Sequence, residues 1–143
     1  MKLTTACEVS YIKRKKILKI LLVIYIILLC WLMLFKLGFF ISGIRRVREI
    51  NLVPFRYDNV IEGDLFWLEP IFNMVAFLPF GILLRKLDCN IKFGFCIFLL
   101  VSLFFETVQF IFSIGVSDTT DIITNVMGGV VGMLIVDILD KNK

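Results

Sequence analysis

The sequence contains no histidine, so it lacks the side chain that most often serves as a general base or a metal ligand near neutral pH. This absence excludes catalytic sites of the Ser-His-Asp and Cys-His types. The four cysteines are scattered without a Cys-x-x-Cys pair, and we expect no structural disulfide. A glycine-rich phosphate-binding loop is also missing. We therefore predict no cofactor and no metal ion.

Apolar residues, by contrast, dominate the chain. Of its 143 residues, 59% are hydrophobic and 15 are phenylalanine, and the mean hydropathy is +0.94. A soluble chain of this length has too little interior to bury so much apolar surface. Four stretches approach the roughly 20 residues that cross a bilayer as a helix, at about 17–35, 66–84, 93–112 and 121–139. The sequence therefore predicts an all-α membrane protein, a bundle of about four transmembrane helices.

Basic residues predict the orientation of this bundle, because they are enriched in cytoplasmic segments. Eleven lysines and arginines lie before or at the start of helix one, between helices two and three, or after helix four, whereas five lie in the first loop. We therefore expect a cytoplasmic basic N-terminus at 1–16 and a cytoplasmic tail at 140–143. The first apolar run is longer than the signal-peptide core of about 7–15 residues and is predicted to remain as a helix. The net charge of +4 suggests contact with anionic membrane lipids rather than nucleic acid.

Several polar residues interrupt the apolar stretches. They are Glu69 and Asn73 in helix two, Glu106 and Gln109 in helix three, and Asp118, Asp121 and Asn125 at the start of helix four. Ionisable groups at membrane depth are costly and usually face a partner or a wet cavity. Our topology places all of them in the outer half of the bundle, and residues three or four apart share a helix face. We therefore predict a polar site between helices two, three and four that opens to the outside.

Structural roles also fit these residues. The neutral Asn73, Gln109 and Asn125 would serve equally as interhelical hydrogen-bonding residues. Asp118 and Asp121 are also suited to capping helix four. Glu69 is interpreted as an ordinary interfacial residue.

Two other patterns predict local structure. Gly128-x-x-x-Gly132 is typical of a close-packing helix face, for which we expect helix three as the partner, with a homodimer through this face left open. Residues 39–50 alternate apolar and basic side chains and predict an amphipathic interfacial segment. Pro54 favours an extended Val53 in a turn that leads to helix two.

Four motifs occur in order between about Asn51 and Gly132, and together they resemble the VanZ-like family. They are Asn51-Leu-Val-Pro-Phe55, Asn73-x-x-x-Phe77-x-Pro79-Phe80-Gly81, Glu106-x-x-Gln109 and Asp118-x-x-Asp121-x-x-x-Asn125-x-x-Gly128. The resemblance implies a multi-pass protein of the bacterial plasma membrane. The family's namesake is associated with low-level resistance to teicoplanin and little to vancomycin, and its members generally have no assigned enzymatic activity.

The resemblance also implies signature positions, which are Asn51, Asn73, Glu106, Gln109, Asp121 and Asn125. This sequence departs from the family at one point. The family often carries an arginine a few residues before the first acid of helix four, where this chain reads Ser113-Ile-Gly-Val-Ser117.

Three functional hypotheses follow. The preferred one is a non-enzymatic envelope protein whose outward polar pocket, including Asp118 and the signature residues, binds a lipid-linked cell-wall precursor or a lipoglycopeptide. The second is a membrane enzyme acting on a lipid-linked envelope precursor, with Glu106 as general base. The third is a proton-coupled carrier in which Glu106 relays the proton. The inner halves of the helices, however, contain no second polar residue that could carry the proton further. A homo-oligomer is compatible with each.

The predicted topology can be tested by labelling. In a cysteine-free background, Ser117→Cys should react with a membrane-impermeant maleimide added to intact cells, because the start of helix four is predicted to face outward. If the cysteine is labelled only in inverted vesicles, which expose the cytoplasmic face of the membrane, the prediction that the polar site opens to the outside is contradicted.

Overall fold

A computed structural model describes residues 2–40, 50–55, 68–112 and 117–141. Within these ranges the chain forms helices α1 (Lys2–Phe40), α2 (Leu68–Lys86), α3 (Ile91–Phe112) and α4 (Thr119–Lys141). Two short strands, β1 (Ile50–Asn51) and β2 (Ser117–Asp118), precede α2 and α4 respectively. Each of the four helices is long and apolar enough to cross a membrane. The predicted all-α membrane fold is therefore confirmed.

The helix ends differ from the predicted spans mainly in α1. This helix begins at Lys2 rather than near residue 17, so the basic run at 13–16 is helical. Lysine and arginine are good helix formers, and hydropathy alone does not detect a helix that continues into a charged segment. The ends of α2, α3 and α4 lie within two residues of the prediction. Most of the predicted amphipathic segment, residues 41–49, lies outside the described residues.

Helices α2 and α4 make the closest contact in the bundle, and glycines make it possible. A Cβ atom added at Gly128 would overlap the backbone carbonyl of Met74, and one added at Gly132 would overlap that of Leu78. The expectation that these glycines pack against helix three was therefore wrong. They pack against α2 instead, and the two backbones can approach this closely because glycine has no side chain. The same contact covers the glycine face within the chain, so it is not a free surface for a homodimer.

Helix α3 joins this pair through aromatic side chains. The Phe98 ring lies against the backbone of Gly129 and meets the Phe80 ring edge to face, with ring centroids 5.3 Å apart. Phe77 and Phe105 make a second edge-to-face pair at 6.4 Å. Edge-to-face pairs are a favourable arrangement of aromatic quadrupoles. The core of the bundle is therefore a layer of phenylalanine rings between α2, α3 and α4.

Helix α1 packs more loosely against this core. Its buried contacts come from Leu29 and Met33, and the Tyr25 hydroxyl donates a hydrogen bond of 2.6 Å to the Ala76 carbonyl. Most of its other described apolar side chains are exposed. Such surface is compatible with lipid, in which exposed apolar side chains carry no hydration penalty.

Ion pairs hold the end of the bundle opposite β1 and β2. After α2, the Cys89 N–H bonds to the Leu84 carbonyl and Asp88 adopts a positive φ of 67°, which is a Schellman-type helix end. Lys15 of α1 forms an ion pair of 2.6 Å with Asp88 and lowers the pKa of that carboxyl through this hydrogen bond and its charge. Arg85 pairs with Asp137 of α4. These contacts join α1, α2 and α4 at this end.

The glycine contact predicts a difference between two alanine substitutions. Gly128→Ala should destabilise the protein by about 1–3 kcal/mol, because the new methyl group overlaps rigid backbone. Gly94→Ala is the matched control, since its methyl would meet the flexible end of the Met133 side chain, which can adjust. Thermal unfolding in detergent micelles measures both. Equal stability losses in the two variants would contradict the backbone contact.

Candidate functional site

Strands β1 and β2 form a short parallel pair at one end of the bundle, here called the β end. Ile50 lies opposite Ser117 and Asn51 opposite Asp118. The Asn51 amide donates a hydrogen bond of 3.1 Å to the Asp118 carboxylate, and the Thr119 hydroxyl donates one of 3.0 Å to the Asn51 carbonyl. Asn51 and Asp118 are both predicted site residues, but their pairing could not be predicted from the sequence, because two-residue strands have no detectable periodicity.

Asp118 connects this strand pair to both neighbouring helices. One of its carboxylate oxygens accepts a hydrogen bond of 2.7 Å from the Thr120 N–H, which is the geometry of a helix N-cap. Its own main-chain N–H donates a bond of 2.9 Å to Oε2 of Glu106 in α3. Asp118 thus has the capping role that its position suggested, and it also orients the Glu106 carboxylate.

A polar cleft lies beside these contacts at the β end. It contains about 290 Å³ of space not filled by atoms, including the part at its mouth. Residues from all four helices line it, namely Met33, Glu69, Asn73, Phe105, Glu106, Gln109, Asp121 and Asn125. Five of the predicted site residues therefore come together in one place, while Asn51 and Asp118 are bonded to each other outside the lining.

The lining combines deep burial with acidity. Asn73, Glu106, Gln109 and Asn125 are each at most 5% exposed. Burying a carboxylate is costly unless it is hydrogen-bonded, and Glu106 has the Asp118 N–H and the Ser117 side chain as partners. The part of the lining that the structure describes includes three carboxylic acids and no lysine or arginine. The cleft is therefore an acidic site at the end of an apolar bundle.

The two amides of α3 and α4 hold helices together through their N–H groups. Gln109 donates a bond of 3.2 Å to the Met33 carbonyl of α1, and Asn125 donates one of 2.9 Å to the Ser102 hydroxyl of α3. Their oxygens, Gln109 Oε1 and Asn125 Oδ1, are buried with no hydrogen-bond partner among the described residues. Because the Met33 carbonyl can only accept, the Gln109 amide cannot be reversed. The Gln109 oxygen is thus left inside the bundle without a partner among the described residues.

Sequence reasoning missed two residues of this site. Ser102 is fully buried and binds Asn125, and its position four residues before Glu106 on the same helix face was the available signal. Glu69 was interpreted as a simple interfacial residue, yet it lines the cleft and lies close enough to Glu106 for electrostatic repulsion. Its position four residues before Asn73 on the same face of α2 was the available signal.

The acids of the site do not form a metal centre. Over the described ranges, no group of three or more His, Cys, Asp or Glu side chains is placed to hold a metal ion. The described lining presents carboxyl and amide groups, which can form hydrogen bonds.

Comparisons with known proteins place the chain among its relatives. The family model described as VanZ/LLP1 matches residues 22–140, which include every residue of the cleft lining. Protein VanZ of Enterococcus faecium is 40% identical to this chain in an alignment of 126 residues that covers 85% of this chain and 74% of that protein. No solved structure matches the chain.

The Ser102–Asn125 contact predicts a measurable loss of stability. Ser102→Ala should cost about 1 kcal/mol, within the range for interhelical hydrogen bonds in membranes, because the Asn125 N–H is left buried without its partner. Thr107→Ala is the control on the same helix, since the Thr107 hydroxyl is exposed and binds the Leu103 carbonyl of its own helix. Unfolding by denaturing detergent measures both variants. If Ser102→Ala loses no more stability than Thr107→Ala, the Asn125 contact is not stabilising.

Proposed function

The chain belongs to the VanZ/LLP1 family, and on this premise we propose that it gives a bacterial cell low-level resistance to lipophilic glycopeptides such as teicoplanin. It would do so as a multi-pass protein of the plasma membrane, with both termini in the cytoplasm. The polar cleft at the β end would face the outside and bind a lipid-linked cell-wall precursor or the lipoglycopeptide itself.

The convergence of five predicted polar residues on one cleft is the observation that carries this proposal. Asn73, Gln109 and Asn125 supply amides, and Glu106 and Asp121 supply carboxylates. Such groups hydrogen-bond the hydroxyl, amide and ammonium groups that sugars and peptides carry. Buried polar groups within an otherwise apolar bundle are costly, so their concentration at one end supports a binding role there.

The size of the cleft indicates how a large ligand would bind. The cleft has room for a group about the size of one water molecule, about 10 Å³, which is far below the roughly 300–1,000 Å³ of small-molecule pockets. It would accept one polar group of a glycopeptide or precursor, not the whole molecule. The lipid tail would lie along the exposed apolar helix surfaces. This division accounts for selectivity towards a glycopeptide that carries a lipid chain.

The two ends of the bundle support the outward direction of the cleft. The opposite end carries Lys15 and Arg85, each paired with an acid, and basic residues favour the cytoplasmic side. The cleft lining, as far as it is described, carries acids and amides instead. The β end would therefore face the cell wall.

The position of Glu106 is compatible with binding. Its Oε2 atom accepts a hydrogen bond from the Asp118 main chain, so the carboxyl group is held between α3 and the start of α4. A carboxyl group held in this way can meet a ligand without leaving its place.

Antibiotic susceptibility tests this proposal. A teicoplanin-sensitive Gram-positive host would express the wild type, Glu106→Gln or Asp121→Asn at matched membrane levels. We expect the wild type to raise the inhibitory concentration of teicoplanin but not of vancomycin, and both variants to lose this protection. Glutamine can still accept the Asp118 N–H, so Glu106→Gln removes the charge while keeping the hydrogen bond.

Asp140→Asn is the matched control, because it removes the same charge from an exposed position at the opposite end of α4. It should protect like the wild type. Protection by all variants would assign the cleft carboxylates a packing role and contradict the proposed site. If the host that expresses the wild-type protein is no more resistant to teicoplanin than the host without it, the resistance function itself is contradicted.

A further inference from the structure

Residues 50–55, which form β1 and the turn after it, carry an exposed apolar surface at the β end. This stretch, here called the β1 segment, continues from Asn51 as Leu52-Val53-Pro54-Phe55. All four of these residues are apolar and exposed, Leu52 by 76% and Phe55 by 50%. A run of exposed apolar side chains is unfavourable in an aqueous loop unless it contacts an apolar partner. The β1 segment therefore indicates a partner of this kind.

The backbone N–H groups of this run are already satisfied within the protein. The Val53 N–H donates a hydrogen bond of 3.2 Å to the Asn51 side chain, and the Phe55 N–H donates one of 3.0 Å to the Thr120 hydroxyl. Pro54, between them, has no N–H group. Water can accept such bonds itself, but internal partners are required where water is scarce. The N–H groups of the segment are thus prepared for an apolar environment.

The conformation of Phe55 indicates a use for its side chain. Its φ is 57°, in the left-handed region that glycine adopts readily and other residues rarely adopt. A turn alone would favour glycine here, because a phenylalanine ring that remains half exposed to water adds little to the turn. Contact of the ring with an apolar phase would compensate for the backbone strain.

The β1 segment lies at the level where the hydrocarbon part of a bilayer ends. Asn51 pairs with Asp118, the residue directly before α4. Helix α4 has 23 residues, which at about 1.5 Å each slightly exceed the hydrocarbon thickness of about 30 Å. Exposed apolar residues at the end of α3, Ile111 and Phe112, continue the lipid-facing surface to this end of the bundle. The edge of the lipid is therefore the apolar phase within reach of the segment.

We infer that Leu52, Val53 and Phe55 insert into the lipid leaflet at the β end, and that the internal N–H bonds permit this insertion. The insertion is shallow, because irregular backbone does not enter the lipid-exposed hydrocarbon core and the carbonyl groups of the segment can still meet water at the interface. The partner of this surface is thus lipid rather than another protein. The inference concerns the membrane alone and does not depend on the proposed resistance.

Insertion would also connect the membrane surface to the cleft. The Asn51 side chain bonds to the Asp118 carboxylate, and the Asp118 main-chain N–H bonds to Glu106. Two hydrogen bonds therefore lie between the inserted segment and a carboxyl group of the lining. Anchoring of the segment in lipid would fix the height of Glu106 relative to the membrane surface.

Spin-label accessibility in vesicles of phosphatidylcholine and phosphatidylglycerol tests the inference. In a cysteine-free background, Leu52→Cys and Phe55→Cys each carry a nitroxide, and its collisions with lipid-soluble oxygen and a water-soluble nickel chelate are compared. Leu100→Cys, at an exposed position in the middle of α3, is the lipid control, and Lys141→Cys, at the exposed end of α4, is the water control. We expect the oxygen-to-nickel ratio of both labels to exceed that of the water control several-fold and to stay below that of the lipid control.

Two outcomes would overturn the inference. A ratio equal to that of the water control would place the segment in water. Few collisions with either reagent would show that the segment is covered by a second copy of the chain or by another protein. Because Leu52 is largely exposed, a label there leaves the packing of the bundle intact. Val53→Cys replaces Phe55→Cys if the latter does not fold.

A pair of matched variants tests the role of the N–H bonds. Thr120→Val removes the hydroxyl that accepts the Phe55 N–H, and it should lower the oxygen-to-nickel ratio of a label at Leu52 several-fold because the freed N–H draws the segment towards water. Thr124→Val removes a hydroxyl that bonds to carbonyls of its own helix and should leave the ratio unchanged. An unchanged ratio in folded Thr120→Val, or an equal fall in both variants, would overturn the proposed role of these bonds. If Thr120→Val does not fold, the labels in the unmodified β1 segment still decide whether it is inserted.

Discussion

The close backbone contact between α2 and α4 determines where the rest of the bundle lies. Gly128 and Gly132 allow the two helices to touch at the Met74 and Leu78 carbonyls, which leaves a groove that the phenylalanine rings of α3 fill. Asn73 directly precedes Met74, and Asn125 lies one turn before Gly128. The contact therefore brings these two amides near each other at the β end, and α3 adds Glu106 and Gln109 on the third side. The position of the cleft is a consequence of glycine packing deeper in the bundle.

Much of this architecture could be predicted because bilayer crossing imposes a length and an apolar composition on each helix. Five residues of the cleft could be predicted because polar side chains at membrane depth are costly and therefore usually face a partner or a cavity. The helix that packs against Gly128 and Gly132 could not be predicted. A small-residue motif shows that another helix approaches closely, but it does not show which helix that is. The strand pair was not predicted, because its formation depends on which segments α2 and α3 bring together.

The binding and structural interpretations of the polar residues are compatible with each other. Gln109 attaches α3 to α1 through its N–H group, and its oxygen is buried with no hydrogen-bond partner among the described residues. Asn125 joins α4 to α3 through Ser102. Glu106 accepts the Asp118 N–H at one oxygen, and its carboxyl group also lines the cleft. Each of these side chains therefore both links elements of the bundle and lines the cleft.

The β1–β2 pair also has a consequence for the order of folding. The Asn51–Asp118 hydrogen bond joins residues 67 positions apart, and closing so long a segment costs chain entropy before any contact compensates for it. Helices that are individually stable in a bilayer associate after insertion, so we expect the strand pair to form after α2 and α3, which lie between the two strands in the sequence, have packed. Assembly of the bundle would then proceed from the glycine and phenylalanine contacts towards the β end, and the acidic cleft would be completed last.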